Sequence, residues 1–455
     1  MARALAALFL ALALFVSPAP WLCGALATPS VAPPRGMVAV GPGSWRPAYA
    51  QAPGAPEVPV PRFFFDVRPV SNEDFLAFVR TDPRWRRGQI AELFADAEYL
   101  ARWSAPLTLG DGASPRQPVT GVSWFAARAY CAARGARLAT EAEWELAAMA
   151  SAKAADGRQE PGFTEKILAW YASPNNQIAD VGGGEANYWG VRDLHGLVWE
   201  WVDDFNDELV SGDSRDKGDR PEDAFCGAGA AKAGDPSDYA SFMRTAFRSA
   251  LEAKYTGRRL GFRCARDQVA RGSPALEPSP PPPTRPSAYP SASLYQLAGR
   301  FVDSADREVG LDVFAGSPVL IAMFYGSCRH VCPMLIERIR RIEATLSPQA
   351  RLRTRVVLVS FDPTRDTPSA LGRLARGRNI DTQRWRLLST SEAGTRAVAA
   401  VLGVRYRRLA DGEINHSTVV TLLDARGVVR QRVDGLWTPH EGLAAALAEL
   451  AAKAP

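Results

Sequence analysis

A run of prolines divides this chain before any other feature is weighed. Pro278, Pro280, Pro281, Pro282, Pro283, Pro286 and Pro290 crowd into the stretch 269–290. Proline fixes φ and carries no amide hydrogen, so such a run neither continues a helix nor pairs inside a sheet; it settles as an extended, semi-rigid spacer. One compact core spanning it is not expected. The spacer leaves residues 60–268 and 291–455 of a 455-residue chain on its two sides, each of ordinary domain size. Hydrophobic residues at 47% and charged residues at 23% argue against wholesale disorder, collagen-like repetition and a polytopic membrane protein. A net charge of +5 without a Lys/Arg block gives no nucleic-acid footprint.

Residues 1–27 read as a secretory signal peptide: Arg3, an apolar run over 4–16, and the small-residue pattern Ala25-Leu26-Ala27. The alternative is an uncleaved amino-terminal anchor. Pro20, Trp21 and Leu22 are poor company for a lipidated Cys23, which is expected to leave with the peptide. Residues 28–59, rich in Ala, Pro and Gly without periodicity, read as a flexible lead. No later segment is long and apolar enough to span a bilayer, so the expected site is periplasmic or otherwise extracytoplasmic, where disulfides persist. Cys131, Cys226, Cys264, Cys328 and Cys332 then remain. An odd number leaves a thiol unpaired, or a set held for metal or redox chemistry.

In the first domain Thr140 and Glu143 form a capping box ahead of a helix through Trp144 and Leu146, and Gly135 ends the helix before it. Much of the rest is dense in Gly, Ala and Asp, so the fold is loop-rich. Five motifs occur in order: Pro118-Val119-Thr120-Gly121-Val122-Ser123-Trp124, Ala129-Tyr130-Cys131, Arg137-Leu138-Ala139-Thr140-Glu141-Ala142-Glu143-Trp144-Glu145, Asp193-Leu194-His195-Gly196-Leu197-Val198-Trp199-Glu200-Trp201 and Leu260-Gly261-Phe262-Arg263-Cys264. The region resembles the formylglycine-generating enzyme, or sulfatase-modifying factor, family. That resemblance implies an α+β domain of the C-type-lectin-related kind and a disulfide between Cys131 and Cys264. It also implies structural calcium near the Trp-Glu-Trp motif, with Asp193 and Glu200 as oxygen ligands, against which stands Leu197 where the family carries Asn. Capping or surface carboxylates are the competing reading, and His195 reads as a structural hydrogen-bonding residue.

The departure from that family decides more than the match. Its oxidases use two cysteines before the final Gly-Phe-Arg-Cys, and here Tyr239 and Arg244 stand in their register. Neither side chain binds copper as a thiolate or carries thiol oxidation. Formylglycine formation is therefore not expected, and Cys226 alone cannot supply a pair.

From residue 294 the pattern turns to alternating strands and helices, an α/β arrangement that fits a thioredoxin-like fold. Residues 319–325 and 356–361 read as buried strands, 418–423 and 428–432 as a hairpin, and Met334, Leu335, Ile339 and Ile342 as one helix face. Cys328 and Cys332 lie four apart at a strand-to-helix transition, where a helical turn puts both on one side and the helix amino terminus favours anionic sulfur. Two thiolates with a distal His416 would make a soft three-donor set for copper. Thiol exchange and a merely structural disulfide are the alternatives for the cysteine pair.

These residues resemble the Sco/SenC copper-binding family on three motifs: Gly326-Ser327-Cys328-Arg329-His330-Val331-Cys332-Pro333, Ser360-Phe361-Asp362-Pro363-Thr364-Arg365-Asp366-Thr367-Pro368 and His416-Ser417. The resemblance implies Cys328, Cys332 and His416 as copper ligands; Arg329 replaces the family's proline. Asp362 and Asp366 lie in a loop expected near the metal, as structural caps or as a partner-docking loop. His330 is expected to face solvent. The chain thus reads as an extracytoplasmic metallochaperone that matures a copper enzyme. Resemblance to Sco implies cytochrome oxidase as the target, and a cysteine-lacking relative of the first domain implies copper nitrite reductase. The first domain would serve as a recognition module. The alternative is a periplasmic thiol-disulfide oxidoreductase in which Cys328 attacks and Cys332 resolves.

Overall fold

The computed structural model describes residues 32–47, 57–173, 177–207, 239–268, 288–409 and 412–453. The expected signal peptide, Cys226 and nearly all of the proline spacer lie outside the described residues.

The helix Glu141–Ala148 starts as the sequence dictates: Thr140 accepts from the Glu143 amide while Glu143 reaches back to the Thr140 amide. Gly135, at φ +64°, follows the helix Trp124–Ala133 in the left-handed conformation that closes helices. Around these helices runs a small antiparallel sheet in the order Met37–Val40, Phe63–Asp66, Cys264–Asp267, Arg137–Leu138. Phe75 fills the centre, its ring 5.8 Å from Tyr130, 6.1 Å from Phe262 and 6.3 Å from Trp103. The strands are short and loops carry much of the chain, as a loop-rich α+β domain requires.

The first strand corrects the expectation of a flexible lead over 28–59. Met37–Val40 pairs with Phe63–Asp66, burying Met37 and Val40, and Gly43–Trp45 pairs with Val58–Val60. The stretch Met37–Val40 is only four residues between the turns at Gly36 and Gly41, too short to show a period of two. Its burial depends on strands distant in sequence.

Cys131 and Cys264 form a disulfide across a sequence separation of 133, fastening the helix Trp124–Ala133 to the sheet. A link closing so long a loop restricts the unfolded chain strongly. Replacing both cysteines by serine should lower stability by about 2–4 kcal/mol, read as a shifted midpoint in denaturant unfolding; an unchanged midpoint would contradict this.

The second domain is built on a seven-stranded sheet in the order Glu308–Val309, Phe301–Asp303, Trp385–Ser389, Arg355–Ser360, Val319–Phe324, Val419–Leu423, Val429–Asp434. Val319–Phe324 pairs parallel with Arg355–Ser360 and antiparallel with Val419–Leu423, and every one of its residues is buried. A central strand covered on both faces shows this continuous apolar run rather than alternation. Leu335, Ile339 and Ile342 of the helix Val331–Ala344 are buried, whereas Met334 is half-exposed. In the hairpin turn Gly427 has φ +76°, and a Cβ there would lie 2.6 Å from Ser293 Oγ. The central strands therefore aim their carboxyl ends, and the loops that follow, at one end of the sheet.

Candidate metal centre

Val319–Phe324 delivers the chain to that end, and Tyr325, Gly326 and Ser327 turn it into Cys328. The helix begins only at Val331, so Cys332 sits in its first turn and Cys328 in the loop before it. The expectation that one helical turn carries both sulfurs is thus corrected. They meet because the loop folds back: the Cys332 amide donates to Cys328 Sγ at 3.4 Å, and the Tyr325 amide donates to Cys332 Sγ at 3.4 Å. Both thiols are free and buried.

The loop is held by Asp366, whose carboxylate accepts from the Gly326 amide at 2.9 Å and from Ser360 Oγ. A Cβ on Gly326 would lie 2.6 Å from Asp366 Oδ1, so this approach requires glycine. Asp362 accepts from Arg408 Nη2 at 3.1 Å and from Arg365 Nε. Both carboxylates are buried and spent on the domain's own loops. Asp366 thus braces the cysteine loop, and Asp362 ties its own loop to Arg365 and Arg408.

His416 arrives from the far side, at the end of the strand Ile414–His416, and is buried. Its Nδ1 contacts the Ser417 carbonyl at 3.0 Å, and since a carbonyl only accepts, Nδ1 is the donor there. Tyr325 and Phe361 hold the ring, with centroids 5.9 and 4.8 Å away. These two aromatics, and Glu413 accepting from Tyr325 Oη at 2.7 Å, were not legible in the sequence as site residues. Their only signal was position beside Cys328, Asp362 and His416. His330 and Arg329 are exposed.

Cys328 is the shared member of the three donors. Side-chain hydrogen bonds from Cys332 and from His416, with backbone amides, hold its thiol down to about 3 against desolvation. The same contact to Cys328, together with burial, pushes the Cys332 thiol well up. The pair therefore behaves as one thiolate hydrogen-bonded to one thiol. Among the described residues no three such side chains already form a closed ligand cluster, so capture of an ion requires these donors to draw in. The donor set itself, two sulfurs and one imidazole, fits a soft ion.

The first domain places the two residues expected in the register of the family's cysteines differently. Arg244 is buried and bidentate on Glu145, Nε to Oε1 at 2.8 Å and Nη2 to Oε2 at 2.6 Å. Tyr239, the other substituted position, is exposed. Asp193 accepts from the amides of Gly182 and Gly184, while Glu200 pairs with buried Arg263 and accepts from Trp144 Nε1 at 2.7 Å. The calcium expectation for Asp193 and Glu200 is therefore withdrawn: protein donors occupy both carboxylates. His195 Nε2 contacts the Ala148 carbonyl at 3.0 Å, a structural role.

Residues 25–268 match the family model described as sulfatase-modifying factor enzyme 1-like domain, which is more than half of the chain, and residues 291–452 match the SCO1/SenC model. The chain belongs to the sulfatase-modifying factor enzyme 1-like family and carries an SCO1/SenC domain. Among curated relatives, the serine/threonine-protein kinase pkn1 of Chlamydia caviae is 28% identical, covering 31% of this chain and 23% of that protein. The inactive C-alpha-formylglycine-generating enzyme 2 of Mus musculus is 32% identical, covering 32% of this chain and 60% of that protein. The chain thus spans less than two thirds of either relative. The SCO1/SenC domain is similar to copper-bound ScoI of Arabidopsis thaliana at 16% identity and a TM-score of 0.31, over 34% of this chain and 96% of that one. No described helix is long and apolar enough to cross a membrane.

Proposed function

We propose that this protein is an extracytoplasmic copper metallochaperone that matures a copper enzyme, with its sulfatase-modifying-factor-like domain as a recognition module. The observation that carries the reading is the cysteine pair, in which the Cys332 amide donates to Cys328 Sγ at 3.4 Å, with the buried His416 ring packed against Tyr325 at the start of that loop. A thiolate and a second sulfur side by side, with an imidazole that can draw in and hard carboxylates turned to other tasks, favour a soft, thiophilic cargo over calcium or magnesium. Cys328 is already deprotonated near neutral pH, so only the Cys332 proton has to leave on loading. The Asp366 to Gly326 contact keeps the cysteine loop in place, and the Tyr325 and Phe361 rings exclude water around His416. By family resemblance the recipient is a respiratory cytochrome oxidase or a copper nitrite reductase.

One observation favours a second reading. Opposite shifts at Cys328 and Cys332 also suit thiol exchange: the Cys328 thiolate attacks a partner disulfide, displacing one partner thiolate and leaving a mixed disulfide. Cys332 then loses its proton and attacks Cys328 sulfur, releasing the second thiolate and closing Cys328–Cys332.

Titration of the reduced full chain with Cu(I) against a competing chelator separates the two. The wild type should bind one equivalent, and Cys328→Ser and His416→Ala should each lower affinity by at least about a hundredfold, as expected for first ligands whose supporting partners alone are worth 10–100-fold. Absence of tight binding in the wild type would sink the chaperone reading. A His416→Ala protein that still reduces disulfides at the wild-type rate, in a chain that binds no copper, would establish thiol exchange.

A further inference from the structure

The hairpin that carries His416 is not part of the seven-stranded sheet. Among the described residues, the strands Tyr406–Arg408 and Ile414–His416 pair with each other and with no other strand. An isolated two-stranded hairpin is marginal in water, so something else must fix where it lies. Both domains belong to one compact unit, Pro33–Pro455, and the first domain reaches the hairpin directly. Asn206 Nδ2 donates to the Val404 carbonyl at 3.1 Å, and the Tyr406 amide donates to the Asn206 carbonyl at 3.3 Å. Asn206 is buried in doing so. Three residues earlier, Asp203 pairs with Arg128 of its own domain at 2.8 Å and with Arg396 of the second domain at 3.3 Å. The Arg396 guanidinium in turn lies 5.6 Å from the Tyr406 ring centroid.

The loop making these contacts is itself anchored. Trp124 Nε1 donates to the carbonyls of Val202 and Asp203, the Asp203 amide donates to the Ala139 carbonyl, and the Glu141 amide donates to Asp204 Oδ1. On the other side the contact continues to the ligand. Tyr406 is the cross-strand partner of His416, and Phe361 bridges them, 5.2 Å from Tyr406 and 4.8 Å from His416. Packed rings transmit a displacement because the interior has no room to absorb it.

We propose that Asp203 and Asn206 of the first domain are positioning residues for His416, acting through Arg396, Tyr406 and the hairpin backbone. The inference rests on the copper reading above, in which His416 is a ligand. It makes the sulfatase-modifying-factor-like domain a structural part of the metal centre in addition to any recognition role.

The test uses the full chain with Asp203→Asn and Asn206→Asp, each close in shape to the residue replaced. Cu(II) affinity should fall about tenfold in both, the usual scale for partners behind a ligand, with shifted Cu(II) absorption and electron-paramagnetic-resonance parameters. The far-UV circular dichroism of the metal-free variants should stay at that of the wild type. Arg396→Met should reproduce the altered spectrum, and Arg396→Lys should restore it. Wild-type affinity and spectra in both variants would overturn the proposal while leaving the copper reading intact. A fall in affinity accompanied by altered far-UV circular dichroism would also overturn it, as a general loss of structure. A wild-type chain that binds no copper would remove both this inference and the reading beneath it.

Discussion

Replacing Glu145 by glutamine should destabilise the first domain by about 3–5 kcal/mol, the cost of leaving a buried charge without its partner. Glu145 is among the least exposed carboxylates of the described residues, and its neighbours come from one face of the helix Tyr239–Ser249. Ser241 Oγ donates to it at 2.9 Å, Arg244 binds it bidentately and Arg248 Nη1 donates to Oε1 at 2.8 Å. Both guanidiniums also lie over the Trp144 ring, at 5.3 and 4.5 Å. Burial by itself acts to raise the Glu145 pKa, but the charge and hydrogen bonds of Arg244, then Arg248, hold it down to about 2. The sign follows: this carboxylate stabilises the fold above its ordinary value of 4.5, and the contribution is lost as pH falls through about 2. Denaturant unfolding at pH 7, followed by the tryptophans that concentrate in this domain, reads the effect. The double change Glu145→Leu with Arg244→Met should cost less than Glu145→Gln, because it removes a charge pair together. Simple additivity of the two sites, or a loss under about 1 kcal/mol for Glu145→Gln, would show that the pair does not hold these helices together.

That ion pair also makes a single exchange at Arg244 costly. Arg244→Cys strands Glu145 with Arg248 alone. The position has become a structural bolt between two helices. Its substitution was visible in the sequence, whereas its partner was not: Glu145 and Arg244 are far apart in the chain, and no local pattern links them.

The same division runs through the whole molecule. The capping box at Thr140 and the continuous apolar run over Val319–Phe324 are local, and the sequence specifies both. So is the cysteine pair. What the sequence could not show depends on contacts made across the chain. Met37–Val40 looked like part of a lead because its partner strand starts at Phe63. Tyr325 and Phe361 looked like ordinary strand ends, and only the arrival of His416 between them gives them a role. Asp193 and Glu200 had the chemistry of cation ligands, but guanidinium, indole and amide donors reached them first.

The last expectation concerns Cys328 itself, and its size lies in a pH profile. In the reduced, metal-free protein, alkylation of Cys328 by iodoacetamide should be nearly independent of pH between about 5 and 8, since its thiol is held down to about 3 by Cys332 and His416. An ordinary thiol, with a pKa of about 8.5, loses about tenfold in rate for each pH unit over the same range, close to a thousandfold in all. Absolute rates alone would mislead. Nucleophilicity falls with basicity at a slope of about 0.4–0.5, so a thiolate of so low a pKa is intrinsically some hundreds of times slower, which cancels much of its advantage near pH 6. Burial slows attack at every pH alike and leaves the slope untouched. Cys332, pushed the other way by the shared hydrogen bond and by burial, should label only after Cys328. His416→Ala should steepen the profile by removing one of the two side-chain bonds that stabilise the thiolate. A profile for Cys328 rising tenfold per unit from pH 5 would mean that the thiol is protonated at neutral pH. Loading of a soft ion would then have to expel two protons, and attack on a disulfide would lack its nucleophile.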